Sequence, residues 1–219
     1  MSAAFRALAR QAAARYPARD RYARHFAFGK LTGDPIFRHV LESGLIPAHA
    51  RLLDLGCGQA LTAALLTVEG QHGDWRYHGI DLSSRDIERA RAALPSNCEV
   101  AAGDIRDAAF GVADTVLVFD VLHYIGPDAQ VDVLRRIREA LLPGGTLLMR
   151  VADASGGWRF RYTQAVDLAV TRLRGHRVSR LHSIPLPERI RQLESLGFRV
   201  EPRPMSQGTP FANVLLVAR

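Results

Sequence analysis

Residues 52–60 read LLDLGCGQA. An apolar run delivers one carboxylate, Asp54, then Gly56-Cys57-Gly58, then residues that suit a helix. Glycines at such a point let the backbone turn sharply and come close to a ligand, and the amides of the loop and of the first helical turn are aimed at it. A dinucleotide site in the pattern G-x-G-x-x-G needs a third glycine where Leu61 stands. A carboxylate two positions before the first glycine would also repel a pyrophosphate. The pattern suits a ligand carrying an ammonium and a sulfonium, and S-adenosylmethionine carries both.

This loop needs elements on both sides, and the chain supplies them. RLLDL (51–55) is a short apolar strand and residues 59–68 a helix. WRYHGIDL (75–82) is a second strand, after which Ser83 or Ser84 caps a helix ending at Leu94-Pro95. CEVAA (98–102) and DTVLVFDVL (114–122) are the third and fourth strands. A helix from Asp128 to Leu142, with Val131, Leu134, Ile137 and Leu141 on one face, leads through Pro143-Gly144-Gly145 to a fifth strand, TLLMRV (146–151). After a hinge at Ser155-Gly156-Gly157 come a helix over 159–174, a helix over 188–196 closed by Gly197, and strands at 198–201 and 211–217. Strands alternating with helices, apolar almost throughout, predict an α/β fold: a doubly wound, mostly parallel seven-stranded sheet.

Residues 1–50 stand apart from that alternation as an N-terminal helical cap. Phe5, Leu8, Ala9, Ala12 and Ala13 recur at helical spacing, and residues 20–31 form a second amphipathic segment. After a break at Thr32-Gly33-Asp34, Asp34 caps a third helix with Pro35 at its first position, and the helix stops at Gly44. The expected division is 1–50 as cap and 51–219 as a Rossmann-like domain, with a helical insertion at about 154–187. The Ala- and Arg-rich start loosely resembles a mitochondrial transit peptide, but an ordinary amphipathic helix accounts for it and a cytoplasmic protein is expected.

With 219 residues, 47% hydrophobic and 23% charged, a full core forms and wholesale disorder is excluded. No apolar run approaches the ~18 residues of a membrane span. Two distant cysteines, Cys57 and Cys98, exclude a disulfide framework and a Cys-rich metal site, and no metal is expected. The basic residues are 28 Arg and one lysine, Lys30. Net charge is +5 over residues 1–50, −5 over 51–149 and +7 over 150–219. Solvated arginine faces explain most of this; attraction of an anionic substrate, an acidic carrier or nucleic acid is the sharper reading.

LLDLGCGQA resembles motif I of the class I S-adenosylmethionine-dependent methyltransferases, and further motifs of that family follow in order. GIDLS (79–83) is similar to the end of the family's second strand, which implies that Asp81, with Leu82 beside it, holds the ribose hydroxyls. GDIRD (103–107) resembles the adenine motif, with Asp104 toward the exocyclic amine and Ile105 against the ring. DTVLVFDVLHYI (114–125) resembles motif IV, making Asp120 a partner of the methionine amino group, and LLPGGTLL (141–148) resembles the turn into strand five. The implied cofactor contacts are Asp54, Gly56, Cys57, Gly58, Asp81, Leu82, Asp104, Ile105 and Asp120. Cys57 reads as a small packing residue of the loop rather than a nucleophile. Ala60 stands where many members have a third glycine, and alanine is small enough to serve.

Methyl transfer from a sulfonium chiefly needs an oriented acceptor and the exclusion of water. A general base helps when the acceptor is a hydroxyl. His123 and Tyr124, just past strand four, are the best-placed candidates, although the same residues serve equally as packing there. Lys30, as the single lysine, is a third candidate, at a carboxylate. His25, Arg38, Trp158, Tyr162, His176 and His182 lie in the regions from which the family builds its acceptor pocket. Asp120-Val121-Leu122-His123 departs from the Asn-Pro-Pro-Tyr of base-modifying enzymes, so the acceptor is expected to be a small molecule. HFAFGKLTGDPIF (25–37) resembles small bacterial methyltransferases of aryl-polyene pigment synthesis, which implies a hydroxyaryl or acyl acceptor, either free or presented on an acyl carrier protein. The alternatives are an RNA methyltransferase, encouraged by a pI of about 10.2 but lacking an RNA-binding module, and a non-catalytic scaffold that binds S-adenosylmethionine.

Overall fold

Ser2 opens the first helix by accepting from the Phe5 amide at 3.2 Å. The computed structural model that shows this describes residues 2–70, 74–153, 157, 163–165 and 181–219. Helix α1 (Ala3–Ala14) buries Phe5, Ala9, Ala12 and Ala13, close to the face expected, and packs on α2 (Arg21–Gly33). Helix α2 runs through the expected break because Thr32 Oγ1 donates back to the Phe28 carbonyl at 2.7 Å, and the turn comes only at Asp34, where φ is −109° and ψ 116°. Asp34 then caps α3 (Pro35–Glu42), accepting from the Ile36 amide with Pro35 in the first turn, as expected.

Strands β1 (Arg51–Leu55), β2 (Arg76–Asp81), β3 (Cys98–Ala102), β4 (Ala113–Phe119), β5 (Leu141–Ala152), β6 (Val200–Pro204) and β7 (Asn213–Ala218) form one sheet in the order β3-β2-β1-β4-β5-β7-β6. The β1–β2 and β2–β3 pairs are parallel, whereas β7 runs antiparallel to both β5 and β6. Helices α4 (Leu61–Glu69), α5 (Ser84–Ala93), α6 (Pro127–Ala140) and α7 (Leu186–Ser195) alternate with the strands. This is the α/β, mostly parallel seven-stranded arrangement expected.

The chain divides into two compact units, Met1–Leu117 and Val118–Arg219. In the first, Leu52, Leu53, Leu55, Leu65, Leu66, Ile80 and Ile87 form a buried core, and α1 packs on α4. In the second, β5 and β7 bury Leu147, Leu148, Met149, Leu215, Leu216 and Val217.

Several boundaries differ from expectation. Strand β4 stops at Phe119 because Asp120 takes φ +56°, outside the extended region, and residues Leu122–Tyr124 form a 3₁₀ turn. Strand β5 begins at Leu141 rather than 146, its early residues including Pro143-Gly144. Val131 is half exposed, and α6 instead buries Gln130, Val133, Leu134, Ile137 and Ala140. A glutamine at the centre of that face disguised its direction, and the valine beside it lies off the stripe. The insertion expected at about 154–187 falls mostly outside the described residues, as do Trp158, Tyr162 and His176.

Candidate functional site

Strand β1 carries Asp54 to its buried end and then turns. The Gly56 and Cys57 amides both donate to the Ile80 carbonyl, at 2.8 and 3.1 Å, which stitches the loop onto the end of β2. Gly56 and Gly58 have φ of +77° and +55°, the left-handed region glycine occupies at little cost. Ala60 shares that conformation at φ +55° and opens α4 without a side-chain cap.

Asp81 closes the loop from the other side. Its Oδ2 accepts from the Gly58 amide at 2.7 Å and its Oδ1 from the Ser83 amide at 2.8 Å. The Asp81 carbonyl accepts from the Gly103 amide at 2.9 Å, tying in the end of β3. Gly56, Cys57, Gly58 and Asp81 are thus gathered by direct bonds at the ends of two adjacent parallel strands, and Asp54 lies on β1 two residues before Gly56. Leu82 follows with an exposed side chain, and Ile105 lies buried beyond β3.

Asp54 is buried and accepts from the Tyr77 hydroxyl at 2.6 Å. Burial pushes its carboxyl up to about 7; the Tyr77 hydrogen bond opposes that shift and the Asp81 charge adds to it. Burial likewise raises the Cys57 thiol well above its usual range, which keeps it neutral and fits a packing role. A Cβ on Gly79 would lie 2.7 Å from Tyr77 Cε1 and 2.9 Å from Cys57 Sγ, so glycine there makes room for both side chains.

Asp104 carries a further bond set. Arg106 grips its carboxylate through Nε and Nη2 (2.6 Å for Nη2 to Oδ2), and the Arg106 amide adds a bond at 2.9 Å. The Arg106 hydrogen bonds hold Asp104 below the usual carboxylate range. Any adenine amine reaching Asp104 shares that acceptor with a guanidinium. Lys30 forms an i,i+4 ion pair with Asp34 at 2.8 Å on α2.

In the second unit, Asp120 accepts from Arg150 Nε at 3.0 Å and also from its Nη2. Arg150 is buried and Asp120 partly open to water. His123 and Tyr124 lie on the 3₁₀ turn with ring centroids 4.1 Å apart. Burial lowers the His123 pKa and the Asp120 charge opposes that, so the ring is neutral near pH 7. The turn is braced from behind: the His123 carbonyl accepts from the His182 amide at 2.8 Å. Gln130 Nε2 donates to the Ile125 and His182 carbonyls, at 3.0 and 2.8 Å, while its Oε1 accepts from buried Arg189.

Tyr77, Gly79, Arg150 and Gln130 were absent from the residues singled out by sequence. Gln130 had a signal, a lone amide in an apolar helical stripe; the partners of Asp54 and Asp120 had none.

S-adenosylmethionine presents an ammonium, a sulfonium, ribose hydroxyls and an exocyclic amine. The first unit offers carboxylates at Asp54, Asp81 and Asp104, the acceptor chemistry these groups call for. At Gly58 nothing lies within 4 Å of the position a Cβ would take, so the loop backbone is open to a ligand there. The residues present fit the group.

Residues 52–145 match the family model described as a methyltransferase domain. Among curated proteins, the carboxy-S-adenosyl-L-methionine synthase of Klebsiella pneumoniae is 31% identical over 117 residues, covering 50% of this chain and 47% of that protein. The chain spans about half the length of the curated relatives it matches. Among solved structures, an O-methyltransferase family protein from Burkholderia thailandensis aligns with a TM-score of 0.66 at 22% identity, covering 92% of this chain and 60% of that one. Mitomycin 7-O-methyltransferase aligns with a TM-score of 0.60 at 24% identity, covering 92% and 59%. At these identities the structural likeness is one of fold.

Proposed function

We propose that this chain, whose residues 52–145 match a methyltransferase domain, is a class I S-adenosylmethionine-dependent methyltransferase that transfers a methyl group to a small-molecule or carrier-bound acceptor, a hydroxyaryl or acyl compound of secondary metabolism. The carrying observation is the cradle in which the Gly58 and Ser83 amides converge on Asp81, beside open space at Gly58.

S-adenosylmethionine supplies a methyl group already activated on a sulfonium. Asp81 would accept from the ribose hydroxyls, Asp104 from the adenine amine, and Asp54 would face positive charge. Asp120, held by Arg150, would answer the methionine ammonium. His123, neutral near pH 7, would take the proton of a hydroxyl acceptor. Support for the acceptor class comes from the resemblance of residues 25–37 to the aryl-polyene enzymes and from the fold shared with mitomycin 7-O-methyltransferase. The basic ends of the chain suit an acidic carrier.

A second reading has one observation behind it, the 31% identity to carboxy-S-adenosyl-L-methionine synthase. In that case a second substrate, a carboxylic acid that gives up its carboxyl group, converts S-adenosylmethionine into its carboxylated form, and no S-adenosylhomocysteine is made.

Calorimetric titration with S-adenosylmethionine and S-adenosylhomocysteine tests the cofactor. Micromolar binding (about −8 kcal/mol) that Asp81→Asn weakens by roughly 1–3 kcal/mol supports the reading; no binding by folded protein overturns it. Mass analysis after incubation with S-adenosylmethionine and either hydroxyaryl acids, free or as carrier thioesters, or carboxylic acids that can lose their carboxyl group, then separates the two reactions. S-adenosylhomocysteine with a methylated acceptor supports the first; carboxy-S-adenosylmethionine supports the second.

A further inference from the structure

The peptide between Gly58 and Ala60 belongs to Gln59, and two buried groups from elsewhere in the first unit hold this residue. The Tyr16 hydroxyl donates to the Gln59 carbonyl at 2.7 Å, and Tyr16 is fully buried. Gln59 Nε2 donates to Asp86 Oδ1 at 3.1 Å. Arg89 Nη1 reaches the same Oδ1 at 3.2 Å, and Arg89 Nε donates to Asp20 Oδ2 at 2.7 Å. Asp20 in turn caps α2, accepting from the Ala23 amide at 2.9 Å. Hydrogen bonds therefore run from the glycine loop to both ends of the α1–α2 connection, directly to Tyr16 and through Asp86 and Arg89 of α5 to Asp20.

Docking of the N-terminal helices alone does not require these bonds. Helix α1 already packs on α4 and α2 and buries Phe5, Ala9, Ala12 and Ala13, and such apolar contact is non-directional. The hydrogen bonds are directional, and they converge on one loop residue. That residue sits between Gly58, whose amide Asp81 holds, and Ala60, a non-glycine residue at φ +55°. A left-handed alanine persists only where its surroundings over-determine it, and Tyr16 and Asp86 supply that constraint.

We infer that Tyr16 is a positioning residue for the S-adenosylmethionine loop, acting through the Gln59 peptide, so that docking of α1–α2 and cofactor binding are coupled. This rests on the cofactor reading above. Coupling of this kind is reciprocal: what orders the loop for the ligand is in turn ordered by it.

The test uses the full chain with S-adenosylhomocysteine as probe. In Tyr16→Phe, shown to be folded by circular dichroism and a cooperative melt, the dissociation constant should rise about tenfold (about 1.4 kcal/mol). In the wild type, S-adenosylhomocysteine should slow amide exchange over residues 18–24, and Tyr16→Phe should lose most of that protection. A merely structural tyrosine would lower the melting temperature and move neither readout. A folded Tyr16→Phe that binds within twofold of wild type overturns the inference. If Tyr16→Phe does not fold, Asp20→Asn and the wild-type exchange decide: a weaker Asp20→Asn complex with ligand-dependent protection supports coupling, and no ligand-dependent change over 18–24 overturns it. Failure of the wild type to bind the probe defeats the cofactor reading and the inference together. That outcome is distinct from a Tyr16→Phe that binds normally.

Discussion

The Tyr77 hydroxyl meets Asp54 Oδ2 at 2.6 Å by leaning over Gly79. In the β1–β2 register, Leu52 faces Tyr77 and Asp54 faces Gly79. Tyr77 is therefore the diagonal neighbour of Asp54 on one face of the sheet, and the ring reaches the carboxyl because the directly opposite position has no side chain. Asp54 consequently sits in a dry, hydrogen-bonded place while remaining the acidic residue of the glycine loop.

Gly79→Ala should be costly. Its Cβ would fall 2.7 Å from Tyr77 Cε1 and 2.9 Å from Cys57 Sγ, and overpacking of this kind costs about 1–3 kcal/mol. Urea denaturation should show the loss as a lower midpoint at an unchanged slope. A midpoint equal to wild type would mean that the loop and Tyr77 shift freely.

Asp54 should make stability fall as pH rises. Its carboxyl is raised from 3.8 to about 7 in the folded protein. The stability contribution is therefore full below about pH 4 and is lost as pH climbs through about 7. The size is on the order of a few kcal/mol. Asp54→Asn should flatten the difference between urea midpoints at pH 5 and pH 8. Tyr77→Phe should carry the loss to higher pH, since its hydrogen bond pulls the Asp54 pKa down. If the wild type and Asp54→Asn show the same pH dependence, the shift is not at this residue.

Asp120→Asn should destabilise the fold. Arg150 is buried and two of its three donor nitrogens, Nε and Nη2, bond Asp120. Removing one partner of a buried pair costs about 3–5 kcal/mol, and the lower end applies because Asp120 is partly solvated. Replacing both, as Asp120→Asn with Arg150→Met, should recover part of the loss in thermal melts. Additive losses in the two single variants would show that the pair is not coupled.

His123→Ala should lower turnover on a hydroxyl acceptor while sparing S-adenosylhomocysteine affinity. Burial lowers the His123 pKa from 6.5, so the acidic limb of the turnover–pH profile should sit below that value. A variant with wild-type turnover and profile would assign the ring to packing.

Much of the architecture could be read from short stretches. Asp34-Pro35 announces α3 because a cap and a first-turn proline act within two residues. Ser83 caps α5 for the same reason, accepting from the Asp86 amide at 3.2 Å. Gly56 and Gly58 mark the loop because its backbone needs positive φ. The end of β4 was harder: Asp120 is not a residue whose type demands φ +56°, and its ion pair with a residue thirty positions away holds it there. Gln130 was hidden because an amide at the centre of a buried face looks like an interruption until its carbonyl partners are known.

Local chemistry along the chain therefore accounts for the order of strands and helices, for the glycine loop and for which aspartates stand near the ends of strands. It does not account for what each carboxylate meets. Asp54 is paired with a tyrosine, Asp81 with two amides, Asp104 with its neighbour Arg106 and Asp120 with Arg150. Except for Arg106 and the Ser83 amide, each two residues from its aspartate, these partners are brought in by strand register and packing, across separations that no periodicity encodes. Burial then sets the charge state: the same aspartate type titrates near 7 at Asp54 and below its usual range at Asp104. Solvation and pairing are properties of the assembled sheet, because they depend on which groups displace water, and that is fixed only when distant segments come into contact.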